Sequence, residues 1–317
     1  MMKEVIVIAG PTASGKTNLS IELAKRLNGE IISADSMQVY KYMDIGTAKP
    51  TEAEMQGIKH YLIDELLPSE EFNVVKFKAL AEKYIEEIFN KGKQPIVVGG
   101  TGLYISSLIN NINFSETESD WELREQLSRE AEEKGPGFIH DKLKQVDPLA
   151  AQNIHPNNVK RVIRALEVYY QTQKPISYHN DKSREVPPKY KFILIGLAWD
   201  REKLYERINK RVDMMLEAGL VQEVERLVET GYADSITSMQ GIGYKEILSY
   251  LRNEITLEEA IEIIKRDSRR YAKRQITWFK RINEIKWFSI DNSGNTNNIV
   301  ETVITYIRSH STQLTGF

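Results

Sequence analysis

Between Val5 and Thr17 the chain reads VIVIAGPTASGKT. A β-branched run meets Gly10, the spacing G-x-x-x-x-G-K-[ST] closes at Thr17, and Leu19, Leu23, Ala24 and Leu27 then recur on one helical face. A strand before such a loop and a helix after it is the context in which it binds phosphate. The loop Gly10, Pro11, Thr12, Ala13, Ser14, Gly15, Lys16 and Thr17 turns backbone N–H groups inward at the positive end of a helix dipole. Lys16 is placed to bridge phosphate oxygens and Thr17 to offer its hydroxyl to Mg²⁺. The loop alone does not choose a reaction, because kinases, switch GTPases and motor ATPases all use it.

An absence narrows the choice. P-loop NTPases commonly hold Mg²⁺ with an acid on a second strand, yet here the run Pro95–Val98 ends in Gly99-Gly100-Thr101-Gly102. The nearest strand end with a carboxylate is Asp35, in Ala34-Asp-Ser-Met-Gln38. Strand carboxyl ends are where an α/β sheet presents its site, so Asp35 is the candidate general base or substrate anchor; its structural alternative is an N-cap. At Gly99–Tyr104 the glycines allow a backbone to approach a ligand closely, with Thr101 donating to phosphate or to a base edge. A tight turn into a helix fits the same residues equally well.

Two basic stretches follow. In Asp200–Asp213, Leu204, Ile208 and Val212, continued by Met215, form an apolar stripe, and Lys203, Arg207 and Arg211 stack on another face at i, i+4. Such a face is solvated surface unless it closes over a polyphosphate, where guanidiniums neutralise a leaving group. Lys265–Lys286 carries nine basic residues against Asp267 and Glu284, interleaved with Tyr271, Trp278 and Phe279. A solvated helix face is the ordinary reading; phosphate-backbone contact with RNA or DNA is the functional one.

The elements that must position these groups read as α/β. Five apolar runs, Val5–Ala9, Glu30–Ala34, Pro95–Val98, Phe192–Leu197 and Lys286–Ile290, alternate with helical patterns such as Glu71–Asn90. That predicts a P-loop NTPase-like parallel sheet flanked by helices. Strand-like runs vanish between Phe114 and Ile176, where Ser119-x-x-Glu122 reads as a capping box, Gly135-Pro136-Gly137 as a break and Pro156-Asn157 as a further helix start. An all-helical subdomain inserted at 114–176 into a catalytic core of 1–113 and 177–317 is therefore expected. A polar loop, Asp291–Asn298, precedes a last helix.

Composition bounds the rest. The chain of 317 residues is 41% hydrophobic and 28% charged with a net charge of −2, so no global field recruits nucleic acid and local clusters must do so. It has no cysteine, which removes disulfides, thiolate catalysis and cysteine zinc sites. The N-terminus runs straight into a strand and no apolar run approaches the ~20 residues of a membrane span. A cytoplasmic, monomeric protein with no membrane contact is expected.

Across nearly its whole length the chain resembles the tRNA dimethylallyltransferases, also called tRNA isopentenyltransferases, of bacterial type. The resemblance rests on GPTASGKT at Gly10–Thr17, ADSMQVY at Ala34–Tyr40, IGTAKP at Ile45–Pro50, KHYLID at Lys59–Asp64 and VGGTGLY at Val98–Tyr104. It continues in NVKRVIRALEV at Asn158–Val168, the long segment Asp200–Val224, GIGYKE at Gly241–Glu246 and RRYAKRQITWFKR at Arg269–Arg281. Tyr61 stands where the family often has a second histidine, and the lack of cysteine excludes the zinc finger of eukaryotic members.

The resemblance implies transfer of the dimethylallyl group of dimethylallyl diphosphate to N6 of the adenosine 3′-adjacent to the anticodon, with Mg²⁺ as cofactor. It makes Asp35 the base that orients the amine and Thr101 its neighbour, and it sets Lys16, Arg207 and Arg211 on the leaving diphosphate. The tRNA anticodon stem-loop would meet Asp35, Ser36, Met37, Gln38 and Thr101 at the pocket. Arg124, Val159, Lys160, Arg161, Val162, Ile163 and Arg164 would grip it from the insertion, and Gln240, Gly241, Ile242, Gly243, Tyr244 and Lys245 would reach the stem. Two other classes share parts of this pattern. A P-loop kinase would turn over ATP without RNA, and a non-catalytic RNA-binding or nucleotide-switch protein would retain RNA without chemistry.

Overall fold

Six residues, Glu4–Ala9, form the first strand, β1, and all six are buried. A run that buries every position suits a parallel strand covered on both faces. The computed structural model describes residues 2–112, 119–184, 186–235, 237–290 and 296–313. Two compact units divide the chain: Met1–Leu108 joined by Lys189–Phe317, and Ile109–Pro188.

From β1 the first unit continues through α1 (Lys16–Arg26), β2 (Gly29–Ser33), α2 (Glu52–Met55), β3 (His60–Tyr61), α3 (Val74–Asn90), β4 (Gln94–Gly99) and α4 (Gly102–Ile109). The helical unit holds α5 (Trp121–Lys134), α6 (Pro136–Val146), α7 (Pro148–Asn153), α8 (Val159–Thr172) and α9 (Ile176–Arg184). The chain then returns with β5 (Lys191–Ala198), α10 (Arg201–Glu217), α11 (Leu220–Glu229), α12 (Tyr244–Leu251), α13 (Leu257–Phe279), β6 (Lys286–Ser289) and α14 (Thr296–His310).

The sheet is parallel in the order β3-β2-β4-β1-β5-β6, so the expected P-loop NTPase-like α/β architecture is the one observed. β3 is an addition; two residues carry no periodicity to read. Register decides what the sheet presents: Ala9 lies opposite Gly99 and Gly196, and Ser33 opposite Val98. The turns leaving β1, β2 and β4 therefore start side by side at the carboxyl edge. Leu19 and Leu23 of α1 and Val300, Val303, Ile304 and Ile307 of α14 pack with Ile6 and Ile8 of β1 in one core, while α3 lies against β2 and β4. Among the described residues no helix is long and apolar enough to cross a membrane.

In the helical unit Leu127, Ile139, Leu143, Val162, Ile163 and Leu166 form a separate core. α9 belongs to this unit, so the return expected at 177 comes at Lys189. The boundary expected at 113/114 and the 291–295 part of the polar loop lie outside the described residues. Asp120, not Ser119, caps α5, its Oδ1 accepting the Leu123 N–H at 3.0 Å. Gly135, with φ +85°, ends α5, and Pro136 opens α6.

Four of the expected RNA contacts have partners inside this unit. Val162 and Ile163 are buried in its core and expose no side chain to a ligand. The Glu167 carboxylate has no solvent exposure and accepts from Arg124 Nε and Nη2 at 2.9 and 3.0 Å, Arg164 Nη1 at 2.6 Å and the Asp120 N–H at 2.8 Å. Arg124 and Arg164 thus hold a buried anion while keeping 27% and 34% of their side-chain surface exposed. Lys160 and Arg161 are exposed. Burial pushes the Glu167 carboxyl upward, but its two guanidiniums and the Asp120 N–H outweigh that and hold it below the ordinary range. A depressed carboxylate stabilises the fold above its unfolded pKa and loses that contribution as pH falls through the folded value. Arg124→Ala should therefore cost about 3 kcal/mol in urea unfolding at neutral pH, with a smaller penalty when the titration is repeated in acid.

Candidate active site

Three residues with positive φ shape the loop after β1: Gly10 at +159°, Ala13 at +60° and Gly15 at +87°. Gly15 is the left-handed N-cap of α1, a conformation that costs glycine little. Three side chains draw neighbouring loop groups outward. Trp199 Nε1 donates to the Ser14 carbonyl at 3.0 Å, Arg207 Nε donates to the Ala13 carbonyl at 2.9 Å, and the Arg207 guanidinium lies 4.4 Å over the Trp199 ring. Gln275 Oε1 accepts the Thr12 N–H at 2.9 Å. Inside the loop Lys16 Nζ donates to the Pro11 carbonyl at 2.6 Å.

The second wall comes from β2 and β4. Ala34 donates its N–H to the Val98 carbonyl at 2.7 Å and accepts the Thr101 N–H at 3.2 Å. A Cβ on Gly99 would stand 2.2 Å from the Ala34 carbonyl oxygen, so only glycine permits this crossing. Asp35 follows directly. Its Oδ1 accepts the Met37 N–H at 2.8 Å, a short Asx turn that fixes the carboxylate; this replaces the helix-cap alternative. Thr101 Oγ1 is buried without a hydrogen bond of standard geometry, beside the Tyr271 hydroxyl.

Thr12, Asp35, Ser36, Met37, Arg211 and Tyr271 line a cavity of about 480 Å³ that also takes in Gln240–Lys245 and Arg274. Its electrostatics are those of a site built for an anion. Burial, helped by Arg211, pushes Lys16 down to about 7 against the pull of Asp35. Burial likewise lowers Arg211, opposed by Asp35 and Glu54, while Arg211 Nη1 reaches Thr12 Oγ1 at 3.3 Å. Burial and then Asp35 raise Tyr271 to about 12, so it stays a neutral donor. Ser14, Gly15, Lys203 and Arg207 line a second cavity, of about 870 Å³, with Trp199 and Trp287; Arg207 thus meets the loop from a different side than Arg211.

The 240–245 turn is held from behind. Glu223 Oε2 accepts the N–H groups of Asp44 and Ile45 at 2.9 and 2.8 Å. Its Oε1 accepts the Gly46 N–H at 3.0 Å and the Tyr244 hydroxyl at 2.6 Å. Tyr244 is therefore an internal strut, while Gln240 and Lys245 are exposed. Gln38 also turns inward: Ser33 Oγ donates to its Oε1 at 3.0 Å, and its Nε2 faces the Thr47 and Ala48 carbonyls. On α13, Lys273, Arg274 and Lys280 are exposed, whereas Ala272, Gln275 and Phe279 are buried.

The fold therefore gathers the P-loop, Asp35–Met37, Thr101, Arg211 and the 240–245 turn at the carboxyl edge of the sheet, with Arg124 and Val159–Arg164 in the helical unit. Trp199, Glu223 and Gln275 are neighbours of the site that sequence reasoning did not single out, and Tyr271 was noted only as an aromatic interleaved in the basic stretch. Tyr271 and Gln275 lay within the noted RRYAKRQITWFKR segment, but nothing in its spacing distinguished them from core. Among the described residues no group of three His, Cys, Asp or Glu side chains is arranged to hold a metal. A hydroxyl at Thr17 in the first turn of α1 and one carboxylate at Asp35 suit a Mg²⁺ that keeps waters and is held mainly by phosphate oxygens.

The family model described as IPP transferase matches residues 38–282. A tRNA dimethylallyltransferase of Acetivibrio thermocellus is 65% identical over 306 residues, covering 96% of this chain and 98% of the relative. The crystal structure of the full-length tRNA isopentenylpyrophosphate transferase from Bacillus halodurans superposes with a TM-score of 0.71 at 46% identity, covering 98% of each chain. A eukaryotic dimethylallyltransferase captured acting on tRNA superposes with a TM-score of 0.80 at 34% identity, over 98% of this chain and 80% of that one.

The lowered Lys16 has a measurable consequence. Above neutrality the free ammonium is largely deprotonated, and an anion beside it restores the proton, so affinity falls as pH rises through 7. At about pH 8.5, binding of inorganic diphosphate should take up about one proton, read as a buffer-dependent heat in titration calorimetry. Lys16→Met should abolish that dependence.

Proposed function

The chain belongs to the IPP transferase family, and on that premise we propose that it is a tRNA prenyltransferase. It moves the dimethylallyl group of dimethylallyl diphosphate to N6 of the adenosine 3′-adjacent to the anticodon and releases diphosphate. The observation that carries this reading is the pairing of a P-loop with a lone carboxylate, Asp35, across one cavity, with Lys16 and Arg211 short of compensating anions.

The chemistry follows from where charge develops. Breaking the allylic C–O bond leaves its electron pair on the diphosphate, and fixed donors aimed there give the largest help. The loop N–H groups, Lys16 and Arg211 are those donors, and Arg207 adds charge from the second cavity. Mg²⁺, held by phosphate oxygens and Thr17, would add Lewis-acid stabilisation of the same charge. The adenine amine is a poor nucleophile because its lone pair is delocalised into the ring. Asp35 Oδ1 is engaged by the Met37 N–H; Oδ2 accepts one N6 hydrogen, aims the lone pair at the allylic carbon and takes the proton as the C–N bond forms. Thr101 Oγ1, buried beside the Tyr271 hydroxyl, donates to the base or to phosphate. The purine must leave its stack to arrive, at a cost of a few kcal/mol, which the splayed bases of an anticodon loop reduce.

RNA is gripped through exposed cations, Lys160 and Arg161 on the helical unit, Lys245 at the cavity's lip, and Lys273, Arg274 and Lys280 along α13, with the Gln240 amide beside Lys245. Arg124 and Arg164, part-exposed beside Glu167, add to that grip. The decisive assay incubates the protein with unmodified tRNA, Mg²⁺ and radiolabelled dimethylallyl diphosphate; label in RNA supports the reading, and ATP turnover without transfer supports the kinase. Asp35→Ala should lower kcat about 10²–10⁴-fold while tRNA affinity by filter binding changes little. A loss confined to affinity would remove Asp35 as the base.

A further inference from the structure

We propose that Gln275 is a positioning residue: its side-chain amide clamps the P-loop to the Gly100 turn and so sets the geometry in which the loop receives diphosphate. The proposal rests on the reading above that this loop holds the leaving group. Gln275 is 6% exposed, and both ends of its amide are used. Oε1 accepts the Thr12 N–H at 2.9 Å, and Nε2 donates to the Gly100 carbonyl at 2.9 Å. A backbone donor on one side and a backbone acceptor on the other admit one amide orientation only.

Three features give the clamp consequences. First, the Thr12 N–H is spent on Gln275 and is not a phosphate donor, so the donor set of the loop begins further along. Second, Gly100 has no room for a side chain because of this residue: a Cβ there would stand 2.2 Å from Gln275 Nε2, and 3.3 Å from the Gly10 carbonyl. The neighbouring Gly99 answers to a different contact, the Ala34 carbonyl. Third, the helix that carries Gln275 is fixed against the same turn one step further on. Trp278 Nε1 donates to Ser106 Oγ at 2.9 Å, and a Cβ on Gly102 would meet the Trp278 ring at 2.5 Å. On its other side Ala272 packs with Leu204 and Ile208 of α10, the helix that supplies Arg211. α13 is therefore a rigid reference from which Gln275 measures the gap between the loop and the turn.

The test is a double-mutant cycle read as affinity for inorganic diphosphate in the intact protein, with melting temperature measured on every variant. Gln275→Leu keeps bulk and removes both hydrogen bonds, and should weaken diphosphate binding about five- to tenfold. Gly100→Ala should cost a comparable factor alone but less than about twofold in a Gln275→Ala background, where the added methyl has space. Amide exchange at Thr12 should be fast in Gln275→Leu and remain slow in Gln275→Glu, which keeps the acceptor. That variant serves as the probe if Gln275→Leu does not fold, with weakened binding and a still-protected Thr12 expected. Equal costs for Gly100→Ala in both backgrounds, or a lowered melting temperature with unchanged diphosphate affinity, would overturn the proposal. So would a wild-type protein that does not bind diphosphate. Wild-type protein that binds diphosphate yet transfers no label would overturn the prenyltransferase reading and leave the clamp standing.

Discussion

A backbone contact with no room for a methyl group sets the separation between the carboxylate and the phosphate loop. The Ala34 carbonyl accepts the Thr101 N–H at 3.2 Å, across a Gly99 whose Cβ would lie 2.2 Å from that oxygen. Parallel register brings the ends of β1, β2 and β4 to the same level, but register alone leaves neighbouring turns free to splay. The crossing of Ala34 over Gly99 removes that freedom. Asp35 is one bond beyond the crossing and Thr101 is its donor. A misplacement of about 1 Å in an aligned reacting pair can cost two orders of magnitude, so the tightness of this contact is a catalytic property as much as a packing one.

The charges around the cavity are arranged so that the cations stay available. Lys16 and Arg211 both have their charged forms disfavoured by burial, and each is relieved in part by Asp35. A second carboxylate in that place would complete an internal ion-pair network and weaken the welcome for a diphosphate. The carboxylates nearby have partners of their own: Glu54, which also acts on Arg211, accepts the Thr51 N–H at 2.8 Å, and Asp213 pairs with Lys265 at 2.7 Å. The free protein therefore stores electrostatic stress that an anionic ligand releases. Burial first, and Arg211 after it, push Lys16 down to about 7.

Local chemistry was legible in the sequence, and long-range supports were not. A P-loop is a contiguous pattern, and Asp35 stood out because no other acid ended a strand. The helical run at 159–168 carries more than a basic face. Its basic residues read as an RNA face, yet Glu167 lies three residues after Arg164, and an i, i+3 carboxylate is a visible sign of an ion pair. Val162 and Ile163 sat in the apolar stripe of the same helix and belonged to the core for that reason. Gln275 and Glu223 are another matter. Each bonds to backbone groups more than 170 residues away, and no periodicity marks a residue whose partner is a peptide N–H.

Glu223 shows how such a support can rigidify an anion site without spoiling it. A buried carboxylate usually needs a cation, but the cation beside the 44–48 turn, Lys49, is paired with Asp44 and Asp64 instead. Here three backbone N–H groups and the Tyr244 hydroxyl satisfy the two oxygens. A Cβ on Gly46 would stand 2.5 Å from the Tyr244 ring, which presses the turn against the strut. The lip of the cavity is thereby fixed by dipoles, and a single carboxylate, Asp35, remains among the residues that line it. On the proposed roles, an amine that must give up a proton meets a single lining carboxylate, opposite the loop proposed to hold diphosphate.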